Sequence, residues 1–398
     1  MRKNKINFIH NSYPHFVDNY IYNFKFYEVK DIKMYIEKIK LSNFRNYEQL
    51  ELDLNQNINI IYGNNAQGKT NILESIFLCS FGKSFRTTKE KEMIKFNEKS
   101  TLVQIYYKKK DRDGNIKIEI GNKKQISLNG IKIKKLSELL GNLNIVIFTP
   151  DDINILKDGP AGRRRFLDIM IGQLRPNYVY NLNMYLKIIE QRNNYLRQIR
   201  EENKTVDMLE IWDEKLAEYG EKIFNYRNEF IEKISKKINE IHKNITDEKE
   251  ELKIEYISNC ENKKEYLKLL DERRKLDILK GFTTKGIHRD DFVIYINGKE
   301  VSTYGSQGQN RTAVLSLKLS ELKVIYDELG EFPILLLDDF MSELDEQRRK
   351  NFLNNIKNTQ VILTGTDKIE LSDVKYNIYR IKNGEIINKK YFWRKEKI

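Results

Sequence analysis

The sequence predicts an α/β fold, a mixed sheet with an antiparallel meander plus an inserted α-helical lobe, and three features predict it. An apolar run at residues 57–62 ends at Gly63, passes through a Gly-bounded loop and enters an apolar helix over 71–79. Between 101 and 133, short β-branched runs alternate with Asp113-Gly114 and Asn129-Gly130. From 176 to about 280, glycine and proline almost vanish and apolar residues recur at helical spacing.

In chain order, residues 1–33 open on the basic Met1-Arg2-Lys3 but are broken by Asn, His, Asp and Tyr, so no signal-peptide core forms. Two readings stay open for this extension, a native segment or a mis-set translation start. From Met34, residues 35–41 and then Leu50, Leu52 and Leu54 alternate with polar positions, as half-buried strands do. The run 57–62 reads as a buried strand, and the helix after it should end near Gly82. Asp-Gly and Asn-Gly tolerate the positive φ of two-residue hairpin turns, which predicts a meander over 101–133. Residues 146–148 give another buried strand, and helix follows Pro150 around Arg163-Arg164-Arg165. Within 176–280, Ile223, Phe230, Ile231, Ile234, Ile238 and Ile241 fall on one helical face. No fixed-period repeat is visible and the heptads are poor, which excludes a long coiled coil. Strand character returns at 292–296, followed by an Asn297-Gly298 turn, a helix over about 311–329 and a buried strand at 334–337.

At 398 residues the chain can bury a sizeable core and divide into about two or three lobes. Lysine and arginine total 71 against 58 acids, and the net charge of +13 favours a polyanionic partner such as nucleic acid. No stretch approaches the roughly 18 consecutive apolar residues of a membrane span, so no membrane partner is expected. Cys79 and Cys260 have no paired spacing. That argues against a zinc site and for a reducing, cytoplasmic location.

Gly63-Asn64-Asn65-Ala66-Gln67-Gly68-Lys69-Thr70 matches G-x-x-x-x-G-K-[ST] between a strand and a helix, the context the motif requires. Its backbone N–H groups would wrap phosphates, Lys69 would reach the β- and γ-phosphates of ATP, and Thr70 would set its hydroxyl on Mg²⁺. Such a site needs an acid at a strand end to hold the metal and a base to activate water. Leu336-Leu337-Asp338-Asp339 supplies both, with Asp338 for Mg²⁺ and Asp339 as general base. Ser306-Gln307-Gly308-Gln309 opens the helix through 329 and forms a second anion-binding edge. One nucleotide already has its cradle at 63–70, so this edge would serve another copy's nucleotide. That predicts a head-to-tail homodimer with two ATP molecules sandwiched between the heads.

The order of phosphate loop, Ser-Gln-Gly-Gln run, Leu-Leu-Leu-Asp-Asp and Ser342-Glu343-Leu344-Asp345 resembles the ABC-type ATPase heads of the SMC-like DNA repair proteins, the RecF family in particular. Phrases similar to that family stand at 41–47, 159–168, 288–291 and 304–309, and the resemblance spans 34 to about 366. It implies an ABC-type P-loop head built from 34–175 and 281–398, with the lobe at 176–280 inserted. It implies ATP-dependent binding of single-stranded and gapped duplex DNA in recombinational repair and replication restart, slow hydrolysis, and recombinase loading through a RecR-type mediator. Ser342 to Asp345 would be the loop linking the two active sites, and Arg45 resembles a phosphate-contacting arginine. Position 287 is Ile where the family has proline, and Thr364-Gly365-Thr366-Asp367 carries no switch histidine, leaving a hydroxyl as sensor. Gln104 and Gln173 are the candidates for a lid glutamine. Arg163-Arg164-Arg165 reads either as a phosphate-backbone patch or as a solvated helix face, and His288 reads as structural. No aromatic platform for single strands stands out among 23 Tyr and 19 Phe. A transporter ATPase subunit would require a switch His and a Glu after Asp338, and a nuclease-linked SMC-like ATPase a metal cluster outside the head. Neither set is found.

Overall fold

The computed structural model describes residues 34–340, 352, 356, 358–367 and 375–392. The extension at 1–33 and the run Ser342 to Asp345 lie outside the described residues. The chain opens with a hairpin of β1 (Tyr35–Phe44) and β2 (Tyr47–Asp53), turning through Arg45 at φ 55°. Next come β3 (Ile58–Tyr62) and α1 (Lys69–Phe81), then the meander β4 (Thr101–Lys108), β5 (Asp113–Ile120), β6 (Gln125–Leu128) and β7 (Ile131–Lys132). A short α2 (Leu136–Leu139) leads to β8 (Ile145–Phe148), α3 (Asn154–Lys157) and α4 (Pro160–Leu174). Two long helices, α5 (Pro176–Glu202) and α6 (Leu209–Thr246), precede β9 (Leu252–Ile257) and α7 (Lys263–Lys280). The return runs through β10 (Asp291–Ile296), β11 (Lys299–Glu300), α8 (Val301–Tyr304), α9 (Gln307–Leu329) and β12 (Ile334–Leu337). It ends with β13 (Val361–Gly365), β14 (Tyr376–Lys382) and β15 (Glu385–Phe392).

The central sheet has the order β15-β14-β3-β13-β12-β8, with every pairing parallel except β15 on β14. A parallel sheet must be covered on both faces, and side-chain alternation divides these strands accordingly. Ile61, Ile147, Leu336 and Ile362 face α1 and the outer antiparallel sheet β2-β1-β4-β5-β6-β7. Ile60, Val146, Leu335 and Leu363 face a second core shared with α4, α5, α6 and α9. Helix α1 therefore lies between two sheets. Its Ile72, Leu73, Ile76, Phe77 and Leu78 are fully buried, and an apolar residue on every side is what such a position demands. The loop at 63–70 thus springs from the middle of the central sheet, and Asp338 and Asp339 end a strand two places away.

Three expectations require correction. Asp113-Gly114 is not a turn: the bend lies at 109–112, where the Lys109 N–H donates to the Arg112 carbonyl at 2.9 Å. Gly114 sits in β5 opposite Tyr107, and a Cβ there would come within 2.5 Å of the Tyr107 ring, so close approach requires glycine at this position. Asn129-Gly130 and Asn297-Gly298 do make two-residue turns, with φ of 49° and 82° and of 49° and 76°. The stretch 176–280 is not wholly helical, because β9 interrupts it and pairs antiparallel with β10, Ile254 opposite Ile294. Leu252 and Ile254 alternate with Lys253 and Glu255 as a half-buried strand would, but the partner strand lies far along the chain. Helix α9 begins at Gln307 rather than 311, because Ser306 and Gln309 form a reciprocal capping box.

Candidate nucleotide site

The phosphate loop is shaped by its glycines. Gly63 has φ 155°, with the Ile381 carbonyl oxygen 2.4 Å from where a Cβ would stand, and Gly68 has φ 108°, with Asn46 side-chain atoms at 2.6 Å. Neighbouring side chains brace the loop. The Tyr47 hydroxyl donates to the Gly68 carbonyl at 3.0 Å and Asn46 Nδ2 to the Gln67 carbonyl at 2.9 Å. Gln67 Oε1 accepts from the Asn383 N–H at 2.6 Å, so its side chain anchors the loop to the turn after β14. Lys69 Nζ folds back and donates to the carbonyls of Gly63 at 2.6 Å and Asn64 at 2.9 Å. Both acceptors are neutral, so a partly buried ammonium keeps its charge for an anion. Burial pushes the Lys69 pKa down, while Asp339 and Asp338 hold it up.

Thr70 Oγ1 donates to Asp338 Oδ1 at 2.9 Å, and Thr364 Oγ1 donates to the same oxygen at 2.8 Å. Asp338 is buried, which raises its pKa despite the two hydroxyls. A desolvated carboxylate held only by hydroxyls, beside a threonine at a helix start, is the hard-oxygen donor set that suits Mg²⁺. Asp339 stands in the left-handed region at φ 49°, and its N–H donates to Thr364 Oγ1 at 3.0 Å. The resulting cleft, of ≈ 450 Å³, is lined by Asn65, Ala66, Gly68, Lys69, Thr70, Asn71, Arg86, Pro150, Asp338, Asp339 and Thr364.

Of the other expected residues, Arg45 is engaged away from the cleft. Its Nη2 and Nε bind both carboxylate oxygens of the buried Glu74, at 2.6 and 2.9 Å, and its Nη1 donates to the Glu92 carbonyl at 2.7 Å. The arginine that lines the cleft is Arg86, held by Asn71 Oδ1 at 2.7 Å and by Glu74 at 3.4 Å. Arg86, Pro150 and Asn71 carry no spacing signal and were legible only in three dimensions, whereas Thr364 lay in a recognised switch position.

Neither candidate lid glutamine reaches the site. Gln173 is buried under β8, where its Oε1 accepts from the Ile145 N–H at 3.1 Å, and Gln104 lies within β4. Ser306 and Gln307 are exposed on the same chain and line none of this cleft, while Gln309 Nε2 donates to Glu250 at 2.9 Å.

Arg163 and Arg164 are engaged within the fold, while Arg165 stays exposed. Arg163 binds Asp291 through two hydrogen bonds at 2.6 and 2.9 Å, Arg164 donates to the Asp290 carbonyl at 2.7 Å, and Arg165 to the Phe85 carbonyl at 3.4 Å. His288 is structural, its ring between the Tyr185 hydroxyl at 2.9 Å and the Thr283 carbonyl at 3.1 Å. Burial pushes its pKa down to about 4. A histidine neutral when folded and protonated when unfolded stabilises fully above the unfolded pKa of about 6.5 and loses that contribution as pH falls toward 4. His288→Gln should therefore reduce the stability lost between those pH values by up to about 3 kcal/mol. Urea melts of both proteins at several pH values test this, and parallel slopes would refute it.

The RecF/RecN/SMC N-terminal domain family matches over residues 35–387. The "DNA replication and repair protein RecF" of Clostridium novyi (strain NT) is 43% identical over 362 residues, covering 89% of this chain and 99% of the relative. The protein of the same name from Alkaliphilus oremlandii (strain OhILAs) is 44% identical over 367 residues, 89% of this chain and 100% of its own. The solved "recombination mediator protein RecF-ATP in RecFOR pathway" superimposes with a TM-score of 0.84 at 39% identity over 91% of this chain and 98% of that one. An Smc head from Pyrococcus furiosus, at 18% identity and a TM-score of 0.53, shares the fold alone. With an ABC-type head fold, a phosphate loop facing paired acids, and this likeness along nearly the whole described chain, the protein belongs to the RecF family.

Proposed function

We propose that this protein binds ATP with Mg²⁺ at the cleft between the 63–70 loop and Asp338–Asp339, and acts as an ATP-dependent DNA-binding protein of recombinational repair and replication restart. The observation that carries the reading is the meeting of Thr70 and Asp338 at 2.9 Å from positions 268 residues apart, beside Lys69. Thr70 and Asp338 hold the metal, Lys69 and the loop N–H groups hold the β- and γ-phosphates, and Asp339 polarises the attacking water. Relatives named for DNA replication and repair, and an ATP-bound relative named for the RecFOR pathway, support the assignment. Because Ser306 to Gln309 lies outside its own chain's cleft, it serves the nucleotide of a second copy, giving an ATP-sandwiched homodimer that hydrolysis resets. Gapped DNA or a single-strand/duplex junction is the substrate, and the recombinase is loaded there through a RecR-type mediator. Among the described residues no helix is long and apolar enough to cross a membrane.

Sedimentation velocity with and without ATP and gapped DNA tests the reading. ATP should shift the protein from monomer to dimer, and DNA should co-sediment with the ATP form. The logarithm of DNA affinity should fall linearly with the logarithm of salt, by about 0.9 per phosphate contacted on duplex. Absence of DNA binding in ATP, or affinity indifferent to salt, would overturn it.

A further inference from the structure

Away from the nucleotide cleft, the C-terminal end of α7, the link 281–286, the turn Ile287–Arg289 and the end of β9 enclose an open recess of ≈ 760 Å³. Four cations, Arg273, Lys280, Lys285 and Arg289, line it, and all are exposed. None of the four has an ion-pair partner among the described residues, although other cations of α7 are paired, Arg274 with Asp213 and Asp271, and Lys268 with Glu272. The acid beside the recess, Asp290, is buried and turned inward, accepting from the Tyr256 hydroxyl at 2.7 Å and the Asn259 N–H at 2.9 Å. Like charges gathered without counter-charge repel one another, and a polyanion relieves that repulsion while releasing its own counterions.

The recess is more than a charged patch. Phe282 lies on its wall, 38% exposed, with the Arg289 guanidinium 5.8 Å from its ring centroid, and Ile257, 48% exposed, adds an apolar wall. A duplex presents mainly phosphate to such a surface and keeps its bases stacked. An exposed aromatic ring flanked by an arginine suits an unstacked base, with the neighbouring cations on the phosphates to either side.

We propose that this recess is a binding site for single-stranded nucleic acid, with Phe282 stacking one base and Arg273, Lys280, Lys285 and Arg289 holding the adjoining phosphates. The proposal rests on the DNA-binding reading above and locates a contact surface for it. All five lie within 273–289, and only the apolar wall at Ile257 comes from a separate segment. In an ATP-bound dimer the site would hold the single-stranded side of a junction.

Fluorescence anisotropy of the full chain with fluorescein-labelled oligothymidylate and with a blunt duplex, across a salt series, tests it. Phe282→Ala should weaken oligothymidylate binding about tenfold, leave its salt slope unchanged and leave duplex binding as in the wild type. Arg273→Ala combined with Lys285→Ala should weaken single-strand binding and reduce the salt slope by about 1.4, since each lost contact removes about 0.7. Both variants should bind ATP as the wild type does, which also shows that they are folded. If the wild type binds oligothymidylate and both variants match it, the recess is not the site while the DNA reading stands. If Phe282→Ala loses duplex and single strand equally, base stacking is wrong. Unchanged oligonucleotide binding with lost affinity for polyglutamate would make this an acidic-protein surface and overturn the proposal. A wild type that binds neither DNA sinks the DNA reading and this site together.

Discussion

Lys69→Ala should remove ATP binding and leave a folded protein. The ammonium is partly desolvated and satisfied only by two main-chain carbonyls, so its charge acts on whatever anion enters the loop. A hydrogen bond from a charged donor to a charged acceptor contributes about 2–3 kcal/mol, so ATP affinity should fall about a hundredfold. Without nucleotide the loss is confined to two hydrogen bonds at the loop, on the order of 1 kcal/mol, because the side chain packs no core. Calorimetric titration with ATP and a melt without nucleotide separate the two effects. Wild-type affinity in a folded variant would remove the loop from the assignment.

Asp339→Asn should trap ATP and accumulate the dimer. Asparagine tolerates the left-handed backbone that position 339 requires at φ 49°, and the N–H bond to Thr364 does not involve the side chain, so the backbone holds its place while the carboxylate base is lost. Loss of a general base slows hydrolysis by about 10²–10⁴-fold, while Thr70, Asp338 and Lys69 still hold Mg²⁺ and ATP. Ser306→Arg should act in the opposite sense. Its long side chain would project from the exposed start of α9 toward the other subunit's nucleotide, so ATP should bind each monomer while dimerisation and hydrolysis fail. The substitution also removes the cap of α9, which costs about 1 kcal/mol, so Ser306→Ala, which loses the cap without adding bulk, is the control. Light scattering with ATP decides. A dimeric Ser306→Arg, or an Asp339→Asn protein that binds ATP and stays monomeric, would contradict the composite site.

Much of this site was legible in the chain because its parts are local. A G-x-x-x-x-G-K-T loop encodes its own backbone path, and an apolar strand ending in two acids announces where carboxylates leave the core. Strand faces were equally readable, since alternation places Ile60 and Ile61 on opposite sides whatever the sheet order. Misreadings arose where a residue type serves two purposes. Asp113-Gly114 has turn composition, yet its glycine is required by Tyr107 across the ladder. Three consecutive arginines suggest a solvated or DNA-facing surface, yet two of them, Arg163 and Arg164, bind groups brought up from Asp290 and Asp291.

The sequence by itself determined the phosphate loop, the paired acids, the capped helix that follows Ser306, and a basic chain without a membrane span. These depend on covalent spacing, side-chain chemistry and composition, which act within a few residues or over the chain as a whole. Tertiary structure alone decided that Thr70 and Thr364 donate to one oxygen of Asp338 and that Arg86 rather than Arg45 lines the cleft. Desolvation and pairing set those outcomes, and both are fixed by which distant segments meet when the sheet assembles.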